Sequence, residues 1–468
     1  MDYKKYPGKT RADNGKLINK EDAQISIITP YYNSDKSIRE TFNSIMNQTY
    51  PYFEWIVVDD GSKEESLKVL KELEKEDKRL KVYSIENVGP ATARDIGISK
   101  ASNSSKYIFF IDSDDLIDKT TLEILYWTLE THKDTSFAYT TTVNFGSKEY
   151  LWEKYFTVEE EKEDNLLTIA ALVKKDALLE VGCFNLKEKS VYEDWNLWLK
   201  LISKKHKPIR VSAPLFWYRH ENESELSRAN SNSSAMKYII ETRESIPDDI
   251  LEAIQFPRID NHKEDKYNMI LPKYDIEKEL YIIPTLTKEY GELIKNNSIV
   301  ISLFPTTSNE REYFPEDTYD LSTFIDRVDY LDFIKYIIES RKIKEINITD
   351  INKDLYNELK ELYSNITINY QETNTINFEE EVNKYYIERF DIYLNRPKPK
   401  DVKKYRKAKE FAERIHAKKE WLVITNYRYD IKEAKSIIKI IPITIIYLLS
   451  VISFTIKSII RIITKPFR

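Results

Sequence analysis

At 468 residues the chain is long enough for about two or three domains, each with its own core, and is not a single small module. Its 72 basic and 78 acidic residues leave a net charge of −6, which gives no global reason to expect nucleic acid as a partner. The single cysteine, Cys183, excludes an internal disulfide, and no apolar secretory segment opens the sequence, so a reducing cytoplasm is the expected compartment.

Residues 1–23 are polar and aperiodic and read as an extended lead-in. Order is expected from Gln24. Ile25–Thr29 is a short apolar strand closed by Pro30-Tyr31-Tyr32-Asn33, after which Ile38, Phe42, Ile45 and Met46 recur at helical spacing. A second strand, Phe53–Val58, ends on Asp59-Asp60-Gly61-Ser62, and Leu67, Leu70 and Leu73 mark its helix. A third, Lys81–Ile85, leads through Asn87-Val88-Gly89-Pro90 into a helix, and the fourth, Tyr107–Ile111, runs into Asp112-Ser113-Asp114-Asp115. Strands alternating with helices imply an α/β fold with a parallel sheet and crossover connections.

Both acidic tips fall at carboxyl ends of strands, the edge at which open α/β sheets bind ligands. Taken alone, Asp112 to Asp115 has two readings. Its carboxylates suit a hard cation such as Mg²⁺ or Mn²⁺, and through it a diphosphate; alternatively, Asp112 and Ser113 cap a helix that Leu116 begins. Two tips on one edge favour the functional reading.

Thr29-Pro30-Tyr31-Tyr32-Asn33, Val57-Val58-Asp59-Asp60-Gly61-Ser62, Asn87-Val88-Gly89 with Ala93-Arg94-Asp95-Ile96-Gly97, and Asp112-Ser113-Asp114-Asp115 closely resemble, in order and spacing, the family 2 glycosyltransferases of the GT-A fold. The resemblance continues through Gly182-Cys183-Phe184 and Tyr192-Glu193-Asp194-Trp195-Asn196-Leu197-Trp198, so that it covers residues 24–228. It implies a nucleotide-sugar donor, UDP being the family's usual carrier, and Mn²⁺ or Mg²⁺ as cofactor. Carried over by position, Asp59 and Asp60 hold the base and ribose, Asp112 contacts the ribose, and Pro30, Tyr32, Gly89 and Ser113 belong to the same donor-binding motifs. Asp114 ligates the metal, Arg94 lies near the phosphates or braces the acidic cluster, and Asp194 is the general base. Asp95 stands where asparagine is usual. In Phe216-Trp217-Tyr218-Arg219-His220, the histidine follows the arginine by one residue rather than the family's two, so His220 as a metal contact is displaced or lost. Glu193-Asp194 also suits the first turn of the helix that follows, which is compatible with a catalytic role.

Residues 229–234 are rich in Ser and Asn and read as a linker. Beyond them, strand-like runs at 268–271, 298–303 and 345–348 and a helical stripe at Tyr330, Ile334, Ile337 and Ile338 predict a second, Rossmann-like α/β domain over 235–395. Met269-Ile270-Leu271-Pro272, Tyr319-Asp320-Leu321 and Tyr330-Leu331-Asp332-Phe333-Ile334 resemble the amino-terminal half of a family 4, GT-B-type glycosyltransferase. Where that family has a glycine-rich loop this chain has Lys273-Tyr274-Asp275-Ile276-Glu277, so the domain is expected to be non-catalytic, a scaffold or a platform for an acceptor or partner.

Residues 396–435 form a basic connector, and 436–468 an amphipathic helix whose stretch Ile440–Ile456 has no charge. Lys439, Lys457 and Arg461 share one side of it, which suits a segment lying in the interface of an anionic bilayer; a membrane span is the alternative. The combined expectation is an inverting, metal-dependent glycosyltransferase at the cytoplasmic face of the cell membrane. It would pass a sugar to a lipid-linked or surface-glycan acceptor, with a homo-oligomer or a glycan-assembly protein as further partner. The alternative from another class is a non-catalytic nucleotide-sugar-binding scaffold.

Overall fold

The short apolar runs, two of which end on carboxylates, become the strands of a mixed sheet: β1 (Ile25–Tyr31), β2 (Phe53–Asp60), β3 (Leu80–Ile85) and β4 (Tyr107–Phe110). The computed structural model describes residues 6–12, 14–152, 156, 158–185, 192–221, 269–303, 313–324, 330–351 and 353–373. β1, β2 and β4 are buried almost throughout, as expected of parallel strands covered on both faces. The crossovers carry α1 (Ile38–Met46), α2 (Glu64–Glu76) and α3 (Pro90–Lys100).

After β4 come β5 (Leu116–Ile117), α4 (Thr121–Thr131), β6 (Phe137–Gly146), β7 (Tyr150–Trp152), α5 (Val158–Glu163), β8 (Ala171–Lys174), α6 (Lys175–Glu180), α7 (Glu193–Ser203) and β9 (Pro208–His220). The sheet runs β3-β2-β1-β4-β8-β6-β9-β5, with β7 on β6, and β8 antiparallel to both its neighbours. It is therefore parallel on one side and mixed on the other. The acidic tips of β2 and β4 lie on the parallel side's carboxyl edge.

Two local expectations change. Leu116 does not begin a helix: Leu116 and Ile117 pair antiparallel with Trp217 and Phe216. The helix starts at Thr121, where the Asp118 carboxylate accepts from the Thr120 amide and hydroxyl at 3.4 and 3.2 Å. The N-cap of that helix is Thr120, so Asp112 to Asp115 cap no helix there. Nor does order wait for Gln24. The Asn43 amide donates to the Gly8 carbonyl at 2.9 Å, the Ala12 N–H donates to Asn47 Oδ1 at 2.7 Å, and Leu17 bridges Tyr274. The lead-in lacks periodicity because it is bound through its backbone rather than by an apolar face.

α3 lies close on the sheet at Gly97, where a Cβ would stand 2.5 Å from Ile28 Cγ2. Ile28 is a β-branched strand residue held by its neighbours and cannot swing away. Gly97→Ala is therefore expected to destabilise by about 1–3 kcal/mol, read as a lowered midpoint in urea unfolding.

A second sheet is wholly parallel, in the order β12-β11-β10-β13-β14. Its elements are β10 (Glu277–Ile283), α8 (Lys288–Gly291), β11 (Ile299–Ser302), β12 (Thr318–Asp320), α9 (Tyr330–Ser340), β13 (Lys342–Thr349), α10 (Lys353–Leu362) and β14 (Thr367–Gln371). Its first strand is β10, not the run at 268–271: Met269–Leu271 is irregular. The loop after the first strand is accordingly Pro284-Thr285-Leu286-Thr287, again without glycine.

The two sheets share one hydrophobic core rather than keeping one each. Trp127 of α4 packs edge-on against Phe333 and at a tilt against Tyr336, ring centroids 5.0 and 5.2 Å apart. Beside them Glu123, fully buried, meets Arg341 at 3.0 Å and accepts from the Tyr319 and Tyr336 hydroxyls at 2.5 and 2.6 Å. Among the described residues no helix is long and apolar enough to cross a membrane. The basic connector and the helix bearing Lys439, Lys457 and Arg461 lie outside the described residues.

Candidate active site

The first wall of the site is the pair of loops after β1 and β2. Asn33, at φ 51°, donates its backbone N–H to Ser62 Oγ at 3.0 Å and accepts from the Lys63 N–H at 2.9 Å, so the two loops are stitched together. Pro30 closes β1, Tyr31 turns inward to Ser66, and Tyr32 is left exposed at the rim. Asp59 is buried, and its Oδ1 accepts from the Ser62 N–H at 3.1 Å.

Asp60 has a different surrounding from the one its motif suggests. Its two carboxylate oxygens accept from the Val88 and Gly89 N–H groups at 2.6 and 2.8 Å, and the residue is buried. It fixes the loop that enters α3 instead of offering a free carboxylate to a ribose. Gly89, at φ 97°, adopts a backbone that a side chain would strain. Ser113 is likewise committed to the protein: its hydroxyl donates to Ser34 Oγ at 2.7 Å and its carbonyl accepts from Thr41 Oγ1 at 3.0 Å.

Arg94 joins two motifs that are far apart in sequence. From α3 its guanidinium reaches Asp112 Oδ1 at 2.6 Å and Glu193 Oε1 at 2.7 Å. Arg94 is only 2% exposed, so of the two roles expected for it the geometry is that of a brace. A planar guanidinium presents two N–H edges at once, which a lysine cannot do. Neighbouring Asp95 accepts from the Phe184 and Asn185 N–H groups at 2.9 and 2.8 Å. A carboxylate can accept both bonds where an asparagine oxygen and nitrogen could not, which accounts for the departure from asparagine.

Asp194 follows Glu193 on the first turn of α7. Its oxygens accept from the Trp195 N–H at 2.7 Å and Asn165 Nδ2 at 3.0 Å. Burial and the charge of Glu193 push its carboxyl up to about 7. Asp114 is pushed up to about 7 as well, by burial and then by the charge of Asp112.

The Tyr218 phenol is held well above its ordinary range by burial and by the charges of Asp115, Asp112, Asp114 and Asp194. Sequence reasoning missed Tyr218, and it missed Arg219, Glu40 and Tyr6. The Arg219 guanidinium donates from Nε to the Asp114 carbonyl at 2.7 Å and from Nη2 to Glu40 Oε2 at 2.6 Å, while its backbone N–H donates to Asp115 Oδ1 at 2.8 Å. The Tyr6 hydroxyl donates to the same Glu40 oxygen at 2.7 Å. The one available signal was Tyr218-Arg219 in the closing motif; nothing in the sequence connects Tyr6 to Glu40.

These carboxylates supply the oxygen donors that a divalent cation takes. Asp115 Oδ2 is buried without a hydrogen-bond partner among the described residues, the donors are all oxygens, and burial, then the charge of Asp112, raises the Asp114 carboxyl. Asp114 would be the principal protein ligand, and Asp115, next to it in sequence, accepts from the Arg219 N–H through Oδ1. Among the described residues no group of three or more His, Cys, Asp or Glu could enclose a metal ion. His220 does not join the cluster: β9 pairs it with Gly146, and its Nε2 lies 2.7 Å from Asn144 Oδ1. Burial lowers its pKa, favouring a neutral ring in that bond.

Residues 26–195, which hold the motifs from Pro30 to Asp194, match the family model for Glycosyl transferase family 2. An uncharacterized glycosyltransferase of Haemophilus influenzae is 42% identical over 100 residues, 21% of this chain and 39% of that one. The minor teichoic acid biosynthesis protein GgaA of Bacillus subtilis is 37% identical over 105 residues, 22% of this chain and 24% of that one. The chain spans less than half the length of the curated relatives it matches. Among solved structures, Staphylococcus aureus TarS 1-349 in complex with UDP-GlcNAc aligns with a TM-score of 0.41 at 21% identity, over 47% of this chain and 66% of that one. The likeness to a family 4 domain in the second half of the chain has no counterpart in the family match, which ends at residue 195.

Proposed function

We propose that the chain is an inverting glycosyltransferase that moves a sugar from a nucleoside diphosphate carrier, UDP by the habit of its family, to a hydroxyl of a cell-envelope or lipid-linked glycan. The observation that carries the reading is the Arg94 bridge, 2.6 Å to Asp112 on the donor side and 2.7 Å to Glu193 beside Asp194. It draws the acidic tip of β4 and the start of α7 to a single cation, as a transfer site with a donor half and a base requires. The relative assigned to teichoic acid biosynthesis supports a cell-envelope acceptor.

In this mechanism Asp59 and the exposed Tyr32 receive the nucleoside, and Asp112 turns its free oxygen to the ribose. Asp114, backed by Asp115, would hold Mn²⁺ or Mg²⁺, which when bound neutralises charge on the diphosphate. Asp194 takes the proton of the acceptor hydroxyl as that oxygen bonds to the anomeric carbon and the bond to the diphosphate breaks. Attack opposite the leaving group inverts the anomeric configuration. Arg94 acts through its partners, holding Asp112 and Glu193 in place beside the base.

A panel of nucleotide sugars with Mn²⁺ tests the reading, scored for release of the nucleoside diphosphate. Turnover of at least one donor is expected, and Asp114→Ala should raise the Mn²⁺ concentration for half-maximal turnover by at least ~10-fold. Binding without turnover, even with candidate acceptors supplied, would favour the non-catalytic scaffold.

Residues 436–468 are proposed to hold the protein on the cytoplasmic membrane face through Lys439, Lys457 and Arg461 and the apolar side opposite. Removing them is expected to move the protein from the membrane pellet to the supernatant; persistence in the pellet would locate the anchor elsewhere.

A further inference from the structure

The second sheet carries a cavity of about 200 Å³ on one face. Register sets Tyr281, Asn347 and Asn369 side by side across β10, β13 and β14, with Gln371 two residues further along the edge strand. Asn369 Nδ2 donates to Asn347 Oδ1 at 3.0 Å and to Glu345 Oε1 at 2.6 Å. That orients both carboxamides and leaves Asn347 Nδ2, Asn369 Oδ1 and the Gln371 amide without a protein partner among the described residues, Asn369 and Gln371 being exposed to solvent. The opposite wall is Leu293, 52% exposed, and Ile294, which follow α8.

None of the residues lining the cavity is charged, in a chain where 32% of residues are. The lack of Lys and Arg disfavours a phosphate or a nucleotide, for which cationic donors are the usual partners. A row of neutral groups, each offering donors and acceptors, excludes a purely aliphatic ligand, since the amides would be buried unpaired. What satisfies both walls is a ligand dense in vicinal hydroxyls on one side and C–H groups on the other.

We infer that this cavity is a binding site for an uncharged sugar unit, held by Asn347, Asn369 and Gln371 against Leu293 and Ile294, and that it engages the acceptor glycan away from the transfer site. The inference rests on the proposed glycosyl transfer for its biological meaning but not for its chemistry. The shared core behind Glu123 and Arg341 gives the cavity a fixed relation to the Asp194 site, so a glycan held here approaches the base as one molecule rather than by separate encounter.

The full-length protein would be titrated, in the absence of nucleotide sugar, with glucose, galactose, N-acetylglucosamine, N-acetylgalactosamine and their β-linked disaccharides. Saturation-transfer NMR and calorimetry would read the binding. At least one saccharide should bind, and Asn347→Ala with Asn369→Ala should weaken it about tenfold or more, through lost hydrogen bonds. Gln371→Ala, on the exposed edge strand, should weaken it in the same direction with the melting temperature unchanged. Donor hydrolysis without acceptor should be unaltered in all of these variants, because none of the three residues touches the transfer site. Failure of every saccharide to bind, or binding indifferent to the three substitutions, overturns the inference. Saccharide binding that depends on these residues in a protein that turns over no donor would retain the cavity and remove the proposed enzyme; donor turnover without it would do the reverse.

Discussion

Asp194→Asn is expected to lower turnover about 10³-fold while leaving nucleotide-sugar binding within a few-fold, the range that loss of a positioned general base produces. The substitution is nearly isosteric, but an amide nitrogen cannot accept a hydrogen bond. One of the two bonds from Trp195 N–H and Asn165 Nδ2 is therefore lost. A single neutral hydrogen bond is worth about 0.5–1.5 kcal/mol, or roughly tenfold, so a thousandfold loss cannot be mere misplacement of α7. The pH profile gives a second reading. Asp194 must be ionised to accept a proton, and its carboxyl is raised to about 7, so turnover should climb as pH rises through about 7 in the native protein. The substituted protein should lack that limb. Stability runs the other way: a carboxyl whose folded-state pKa lies above its unfolded value of about 3.9 holds its proton more tightly when folded. Its stabilising contribution is present below pH 4 and is lost as pH rises to 7. Equal turnover of the two proteins at pH 8 would remove Asp194 from the chemistry.

The skeleton of the site was legible because its physics is local. An apolar strand that ends on carboxylates announces both its burial and its tip, and two such tips among four strands with helices between them allow few arrangements. What could not be read was the direction in which each polar group faces. Asp59 and Asp60 are adjacent and chemically alike, yet Asp60 spends both oxygens on the Val88 and Gly89 amides. Ser113 spends its hydroxyl on Ser34, and its carbonyl accepts from Thr41 of α1, so its surroundings are set by that loop and helix rather than by its own motif. Arg219 was legible as part of a motif, whereas its tie through Glu40 to Tyr6 joins residues whose local patterns say nothing of each other. β10 was missed because it starts Glu277-Lys278-Glu279, which reads as a solvated turn. Lys278 pairs with Asp317 at 3.5 Å, and Glu279 meets Lys295 at 2.8 Å, so its charges belong inside a sheet for reasons found elsewhere in the chain. Glu123 is the sharpest case, since a glutamate in the first turn of a helix is ordinarily at the surface.

Arg341→Ala is expected to destabilise the protein by about 3–5 kcal/mol, the cost of leaving a buried carboxylate without its cation. Glu123 would keep the Tyr319 and Tyr336 hydroxyls at 2.5 and 2.6 Å, but hydrogen bonds from neutral groups do not replace a guanidinium 3.0 Å away on a fully buried charge. The Tyr274 ring, with the Arg341 guanidinium 4.9 Å from its centroid, would lose that contact too. Adding Glu123→Gln should recover most of the loss, because glutamine offers an oxygen to one tyrosine and carries no charge to be compensated. The same experiment reads how the two sheets are joined. Their common core, with Trp127 between Phe333 and Tyr336, should make the described unit unfold in one cooperative step in the native protein. In Arg341→Ala the second sheet should melt first, splitting the urea transition when followed by tryptophan fluorescence. A single unshifted transition would mean that Glu123 and Arg341 are not what couples the sheets, and that the apolar core shared by both sheets does so without them.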